Sequence, residues 1–462
     1  MSRRIAIIGG GAAAAALLGE LLERPRTQSL HLDWYTGGPA YGRGVAYSTA
    51  SDCHLLNVRA ASMSMFTGKP DGFLEFAQRG NSTITGSDFL PRKRYGDYLE
   101  AEVTRALQHG NANGHDVHII PMSVDALVPE PDRITVIHGE ESRQADTAVL
   151  ALGALPAQPL AGVSPAVLSS GRYVVDPWCL MNNIEQVRTA PRKVVLLGLG
   201  LTAVDVLLEL SARWPQTEFT AVSRHGLLPE AHLSVISAPE GDGAALIESM
   251  YNAPEIRRWL QLIREAIGQE NDWRTVIDGL RPHVPMLWRT LSTEQRGRFL
   301  RHAAWAWQRA RHRMPPQVWK AVAALEQSGQ LLRRCGRMQS VEMAGDLLRL
   351  TMCHAGSTEV LDSEWVIQTV GMDTDVQRTH HPLLCQLLLN GHVLADPKGL
   401  GLCTETDGRL LHADGSWPNL FAMGSLLRGT WWESTAMPEI RQQAHRLADL
   451  ILGQPTPVKP SR

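Results

Sequence analysis

The chain has 462 residues, enough for two or three domains with an ample core, and disorder is excluded. Lysine and arginine total 45 against 47 for aspartate and glutamate, so no overall field draws the chain to nucleic acid or an anionic membrane. Any anion it binds must meet a local basic cluster.

Residues 4–8 form a short β-rich run, followed by Gly9-Gly10-Gly11-Ala12-Ala13-Ala14, a helix-forming stretch to residue 23 and a second strand at 30–35. That is the spacing of a right-handed crossover unit. A Gly/Tyr-rich loop at 37–47, a polar stretch to residue 90 and an amphipathic helix near 95–109 come next. Two β-runs at 117–128 and 133–138 follow, and the strand at 148–150 ends in Ala151-Leu152-Gly153. The opening grammar then recurs: a strand at 193–197, the turn Gly198-Leu199-Gly200-Leu201-Thr202-Ala203, a helix at 204–213 and a strand at 218–222.

From 245 to 330 the pattern is helical, and six tryptophans (Trp259, Trp273, Trp288, Trp305, Trp307, Trp319) fall among many arginines. This segment accounts for much of the excess of tryptophan (13) over tyrosine (7) and phenylalanine (7). Strands return at 338–343, 347–352 and 365–369, the last ending at Gly371. The chain closes with Leu420-Phe421-Ala422-Met423-Gly424, a helix at 438–452 and a Pro-rich tail. The fold class expected is α/β, with two Rossmann-like dinucleotide-binding domains and a helical insertion.

Six cysteines lie far apart without Cys-x-x-Cys or metal-ligand spacing, so no disulfide framework, metal site or dithiol relay is expected. Arg3-Arg4 before an apolar run resembles a secretory signal, but three consecutive glycines argue against one. No apolar run approaches the roughly 18 residues a membrane span needs. The expectation is a reduced, cytoplasmic protein without membrane or nucleic-acid partner; oligomeric state is not legible.

In a dinucleotide turn the first glycine permits the tight reversal, the second lets the backbone approach a pyrophosphate, and a third small residue lets helix pack on strand. Free N–H groups at the helix start then face the phosphates. Gly9, Gly11 and Ala14 fill these places in the first turn; Gly198, Gly200 and Ala203, with Thr202, fill them in the second. Two such turns without a thiol pair suggest FAD in one and a nicotinamide in the other. The acidic residue expected about 20 residues on for the adenosine ribose falls near Tyr35 and Thr36. Thr36 is left to make that contact, since Asp33 sits one step early. Ser223 and Arg224 end the second unit's second strand, where a 2′-phosphate lies. Arginine suits bidentate phosphate contacts, which favours NADPH; a solvent-exposed arginine at a strand end is the plain alternative.

Further stretches carry a resemblance: Gly42-Arg43-Gly44-Val45-Ala46-Tyr47, His54-Leu55-Leu56-Asn57-Val58, Pro91-Arg92-Lys93-Arg94-Tyr95-Gly96, Thr202 with Asp205, Arg311-His312-Arg313-Met314-Pro315, and Arg428-Gly429 through Glu439-Ile440-Arg441. With these the chain resembles, over nearly its whole length, the FAD/NAD(P)-binding flavoproteins related to class B flavin monooxygenases. That group contains amine N-hydroxylases and Baeyer–Villiger enzymes.

The resemblance implies an FAD domain from 1–160 plus 365–455, an NAD(P) domain from 161–364 containing a helical insertion at about 245–330, and a tail at 456–462. It assigns Gly9, Gly11 and Ala14 to FAD and Gly198, Gly200 and Ala203 to NADPH. Gly153 and Gly371 match the small-residue crossings at strand ends, and Gly424-Ser425 falls where many flavoproteins carry Gly-Asp for the ribityl chain. Tyr47, His54 and Asn57 are placed with the cofactor, and Asn57 is the candidate catalytic residue, hydrogen-bonding the flavin or a peroxide. Ser434 or Thr435 can cap the C-terminal helix, whose N-terminus would point at the flavin; a capped surface helix is the plain alternative.

Arg311, His312 and Arg313, with Trp432, suit a substrate or anion site, for cofactor phosphates or a substrate carboxylate. Equally, the arginines can stack on tryptophans and serve packing. The function implied is an FAD-dependent, NADPH-using monooxygenase. Through a flavin C4a-hydroperoxide formed from O2 it would hydroxylate the nitrogen of a small amine or amino acid. An NAD(P)H:acceptor reductase and a non-catalytic FAD/NAD(P)-binding sensor are the alternatives.

Overall fold

Strand Arg3–Ile8 is buried from Ile5 onward, as an unbroken apolar run must be when helices cover both faces of a parallel sheet. The structure, a computed structural model, describes residues 3–24, 29–233, 243–269 and 272–453. The tail at 456–462 lies outside these residues. The strand sits inside a six-stranded sheet in the order Arg409–His412, Gly415–Ala422, Thr147–Leu150, Arg3–Ile8, Leu30–Tyr35, Asp116–Ile120. Only the edge strand Arg409–His412 runs antiparallel. Helix Ala12–Glu23 is buried from Ala12 to Leu22. It is apolar on nearly every side because the sheet, helix Arg92–Ala112 and helix Met437–Leu452 surround it.

The second sheet has five parallel strands in the order Leu331–Cys335, Glu218–Ser223, Lys193–Leu197, Trp365–Gln368, Tyr173–Val174. Strand alternation divides its side chains. Val194 and Leu196 pack with Val204, Leu207, Val318 and Val322 of helices Leu201–Arg213 and Pro316–Gln327. Val195 and Leu197 pack with Leu348, Leu350 and Met352 of an antiparallel meander, Arg337–Ala344, Leu347–His354 and Ser357–Ser363. A matching meander, Ala126–Pro129, Ile134–His138 and Glu141–Ala145, serves the first sheet.

The β-run expected at 117–128 is two strands, Asp116–Ile120 and Ala126–Pro129, broken after Ile120 where Pro121 follows. Strands Glu141–Ala145 and Ser357–Ser363 lie in runs too polar to read as strands. Among the described residues, helices run from Ala244–Asn252 to Pro316–Gln327, but the last packs on the second sheet. The others form a body with its own core, including Trp259, Leu287 and Trp288, which Trp432 joins from the C-terminal segment. No helix among the described residues is long and apolar enough to cross a membrane.

Among the polar links between the two sheets' surroundings is a buried ion pair. Arg92 Nη2 lies 2.8 Å from Asp205 Oδ2 on helix Leu201–Arg213, with both side chains largely buried. His54, fully buried, accepts or donates at 2.7 Å with Thr49 Oγ1 through Nδ1, and its Nε2 lies 3.2 Å from the Asp205 carbonyl oxygen. Removing one partner of such a pair strands a charge, whereas replacing both by apolar groups removes the desolvation cost. Asp205→Ala is expected to lower unfolding free energy by about 3 kcal/mol, and Arg92→Leu with Asp205→Leu by clearly less. Urea titration of the three proteins checks the order.

Candidate functional site

At the first turn, Gly9 has φ +126°, and a Cβ there would lie 2.2 Å from the Ala151 carbonyl oxygen. A Cβ on Gly10 would lie 2.4 Å from the Thr36 carbonyl oxygen. Both glycines therefore serve backbone closeness. Gly11 begins helix Ala12–Glu23 with extended backbone and no side-chain cap, so the first-turn N–H groups are left for a ligand. Ala14 is fully buried and seats the helix. The Gly/Tyr-rich loop roofs this turn: Gly42 N donates to the Gly10 carbonyl at 2.8 Å, and Gly44 Cα would lie 3.6 Å from a Cβ on Gly11.

Gly424 comes to the same place, where its Cβ would stand 3.8 Å from Ala13 Cβ. Ser425 Oγ donates to the Gly153 carbonyl, and Gly153, at φ +69°, has open space where a side chain would be. The Thr36 hydroxyl donates to the Gly38 carbonyl at 2.6 Å, which leaves only its lone pairs for a ribose. Asp33 is buried among Arg4, Arg143 and His118 and belongs to that network. Tyr47 packs edge-on to Tyr95 at 4.7 Å, and burial pushes its phenol up to about 12. This neighbourhood fits a dinucleotide: the uncapped helix start meets a small-residue floor that a Cβ would fill.

The second turn repeats the design. Gly198 has φ +120° and its Cβ would lie 2.4 Å from the Thr369 carbonyl oxygen, as Gly9 does against Ala151. Gly200 starts helix Leu201–Arg213 with no side-chain cap and nothing within 4 Å of its Cβ position. Thr202 is half-buried in that first turn, Ala203 is buried, and Gly371 (φ +89°) is open beside the end of strand Trp365–Gln368. Ser223 Oγ accepts from Gly226 N at 3.0 Å, which shapes the loop. Arg224 is exposed, and its guanidinium makes no hydrogen bond or ion pair with a described residue. His225 stacks on Trp305 of the helical body at 4.1 Å.

A third group lies between these turns and the helical body. Asn57 is half-buried; its carbonyl faces His232 Nε2 at 3.1 Å, and its carboxamide makes no hydrogen bond to a described residue. Helix Met437–Leu452 starts at Ala436, not at Ser434 or Thr435, and has no side-chain cap, while the fully buried Ser434 hydroxyl has no partner. The expected capping is thus corrected: Ala436 occupies the cap and the helix N-terminus is bare. Glu439 in its first turn is held by Arg281 through two bonds of 2.9 and 3.1 Å.

Arg311 is 4% exposed, and its Nε and Nη2 make no hydrogen bond; the nearest carboxylate oxygen, on Glu439, is 3.9 Å away. His312 was counted as a cation, which the structure corrects. Burial foremost, then Arg311, Arg428 and Arg281, push it down to about 3, so it is neutral at physiological pH. Arg313 also leaves the open cluster, because its guanidinium pairs with Asp278 and lies over the Trp273 ring. His54 is a further correction, since Thr49 and Asp205 engage both ring nitrogens and leave none for a cofactor. Cys53, His54 and Glu209 converge, but with His54 so engaged and burial pushing the Cys53 thiol up to about 11, the trio is a hydrogen-bonded joint.

Arg281, Arg428 and Glu433 join this group without having been singled out for it. Their signal was arginine adjacency to the tryptophan segment. Arg428 lies 4.5 Å over the Trp432 ring, and Glu433 accepts from Trp307 Nε1 at 2.7 Å.

The sequence model of the FAD-NAD(P)-binding family matches residues 6–155, the stretch that holds the first turn and its roof. No curated protein matches the sequence. Solved structures share the fold almost end to end. The ornithine N-hydroxylase of Kutzneria sp. 744, described with reduced FAD, NADP+ and L-ornithine, superposes with a TM-score of 0.64 at 15% identity, covering 98% of this chain and 99% of that one. L-lysine 6-monooxygenase from Pseudomonas syringae gives 0.65 at 16% identity over 98% and 99%. The FAD-bound cadaverine monooxygenase from Erwinia amylovora gives 0.66 at 13% identity over 98% and 94%. The chain thus shares the fold of these N-hydroxylating flavin monooxygenases, and its residues 6–155 match the FAD-NAD(P)-binding family model.

The glycines divide into two kinds that mutation separates. Gly200→Val has room and an ordinary backbone conformation, so it is expected to change stability by no more than about 1 kcal/mol while weakening NADP+ binding at least tenfold. Gly198→Ala collides with the Thr369 carbonyl and should lower the melting temperature clearly. Thermal melts beside NADP+ titration distinguish the two.

Proposed function

We propose that this chain is an FAD-dependent, NADPH-using monooxygenase that hydroxylates the nitrogen of a small amine or amino acid. One observation carries the reading: two bare helix N-termini, at Gly11 and Gly200, stand at the ends of parallel strands in a fold shared with ornithine, lysine and cadaverine oxygenases. The proposal includes the domain division, with 1–160 plus 365–455 holding FAD and 161–364 holding NADPH. The composition of the two sheets supports it except at one boundary: strand Trp365–Gln368 lies in the second sheet, so the return to the first unit falls after it.

FAD, held at the Gly11 turn, would supply the redox and oxygen-transfer chemistry, with NADPH as reductant and water as the second product of O2. The protein's part is binding, orientation and exclusion of water. The N–H groups after Gly11 hold one pyrophosphate, and those after Gly200 the other. The Arg224 guanidinium, without a partner among the described residues, would hold the 2′-phosphate. The carboxamide of Asn57 is available to hydrogen-bond the flavin ring, and the bare N-terminus of helix Met437–Leu452 offers positive partial charge to an anionic reduced ring. The helical body closes the space over these groups with tryptophan and leucine rather than with an acid–base pair, in keeping with chemistry that the cofactor supplies.

The test is anaerobic reduction of the holoprotein by NADPH, then oxygenated buffer with a panel of amines and amino acids, following product mass and peroxide. An added oxygen on one amine, with NADPH consumed in equal amount, is the expected result. Peroxide released in full amount with every amine would turn the reading to a reductase or oxidase. Arg224→Gln should cut kcat/KM for NADPH by ten- to a hundredfold, the worth of a charged hydrogen bond of about 1.5–3 kcal/mol, and leave that for NADH unchanged.

A further inference from the structure

The helical body encloses a cavity of about 230 Å³, walled by Trp259, Leu287, Trp288, Phe299, Trp307 and Trp432 among other apolar residues. Protein interiors are close-packed, and a void deprives its lining of contacts. This one exceeds the ~150 Å³ apolar cavity known to take up benzene. It has the size of one ring or a short acyl chain.

Cationic groups lie next to its apolar walls. The Arg428 guanidinium lies 4.5 Å over the ring of Trp432, a lining residue, and makes no hydrogen bond with a described residue. Ala310 lines the cavity and is followed by Arg311, buried with two nitrogens unbonded. The nearby carboxylates are outnumbered: Arg281, Arg311 and Arg428 face Glu439, which is bonded to Arg281, and Glu433, which accepts from the neutral Trp307 N–H. Trp432 Nε1, a third donor in the same wall, is buried without a partner. A buried excess of guanidinium over carboxylate groups is unfavourable, and an anionic ligand removes that cost. A side-chain ammonium, by contrast, would add to the excess.

We propose that this cavity binds a small apolar molecule carrying one carboxylate-type anion, its ring or chain among the tryptophans and its anion against Arg311 and Arg428. As a substrate class for the oxygenase this rests on the function proposed above. As a binding site it stands on the cavity and its guanidinium groups alone.

The FAD-loaded, oxidised protein is titrated by calorimetry with octanoate, octan-1-ol, octylamine and L-ornithine, without NADPH. Octanoate should bind at least tenfold tighter than octan-1-ol, and octylamine and ornithine more weakly still. Ala306→Phe, which fills the cavity, should abolish octanoate binding. Arg428→Met should weaken octanoate at least tenfold and leave octan-1-ol unchanged. FAD content and NADP+ affinity, measured in both variants, should stay as in the parent. Equal binding of octanoate and octan-1-ol, or octanoate binding that survives Ala306→Phe, would overturn the proposal. So would an Arg428→Met protein that loses NADP+ affinity tenfold with octanoate unaffected, since the guanidinium then serves the nicotinamide phosphates. Flavin reduction by NADPH, run separately, reports on the oxygenase reading and is untouched by failure of the cavity.

Discussion

In both nucleotide-binding sheets a carbonyl oxygen just past a neighbouring strand occupies the place where a side chain would begin on the turn's first glycine. Ala151 does this to Gly9 and Thr369 does it to Gly198, at 2.2 and 2.4 Å from the Cβ position. The close approach forces positive φ, which only glycine accepts without strain, and so sets the direction in which the following helix leaves the strand. The helix start then has no neighbouring side chain to cap it. The bare amides at Gly11 and Gly200 are thus a by-product of how strand, turn and crossing strand fit together. The ligand sites depend on that fit more than on any one side chain.

The parts of the fold that were legible in the sequence are those this constraint governs: an apolar run, a glycine turn and a helix, twice over. Among the strands that escaped, Glu141–Ala145 and Ser357–Ser363 lie on antiparallel meanders with one face in water, where alternation is weak and charged residues abound. The candidate site was legible in its residue types but not in their charge states. His312 is neutral foremost because it is buried, and Arg311 beside it and Arg428 and Arg281, far away in sequence, add to the effect. Arg313 is matched by Asp278, 35 positions earlier, which no local spacing announces. His54 looked like a cofactor ligand because it follows a glycine-rich loop, yet its ring is engaged by Thr49, five residues earlier, and by Asp205 on helix Leu201–Arg213.

The tryptophan excess finds its physical cause in the helical body. Trp288, Phe299 and Trp432 pack ring to ring at 5.1–5.6 Å, and guanidinium groups lie over ring faces: Arg296 on Trp288, Arg428 on Trp432, Arg274 and Arg313 on Trp273. Packing and anion binding, set against each other as readings of these arginines, are compatible. A guanidinium stacked on a ring keeps its N–H edge free.

The two turns differ in one respect: the first is roofed by the loop through Gly42 and Gly44, while the second opens on Gly200 with nothing within 4 Å. Arg224 stands beside it in solvent, where its field fades within a Debye length of about 8 Å at physiological ionic strength. On the proposed function this asymmetry separates a resident from a visitor. The nucleotide under the roof stays with the protein from one turnover to the next, while the one at the open turn arrives, delivers its electrons and departs.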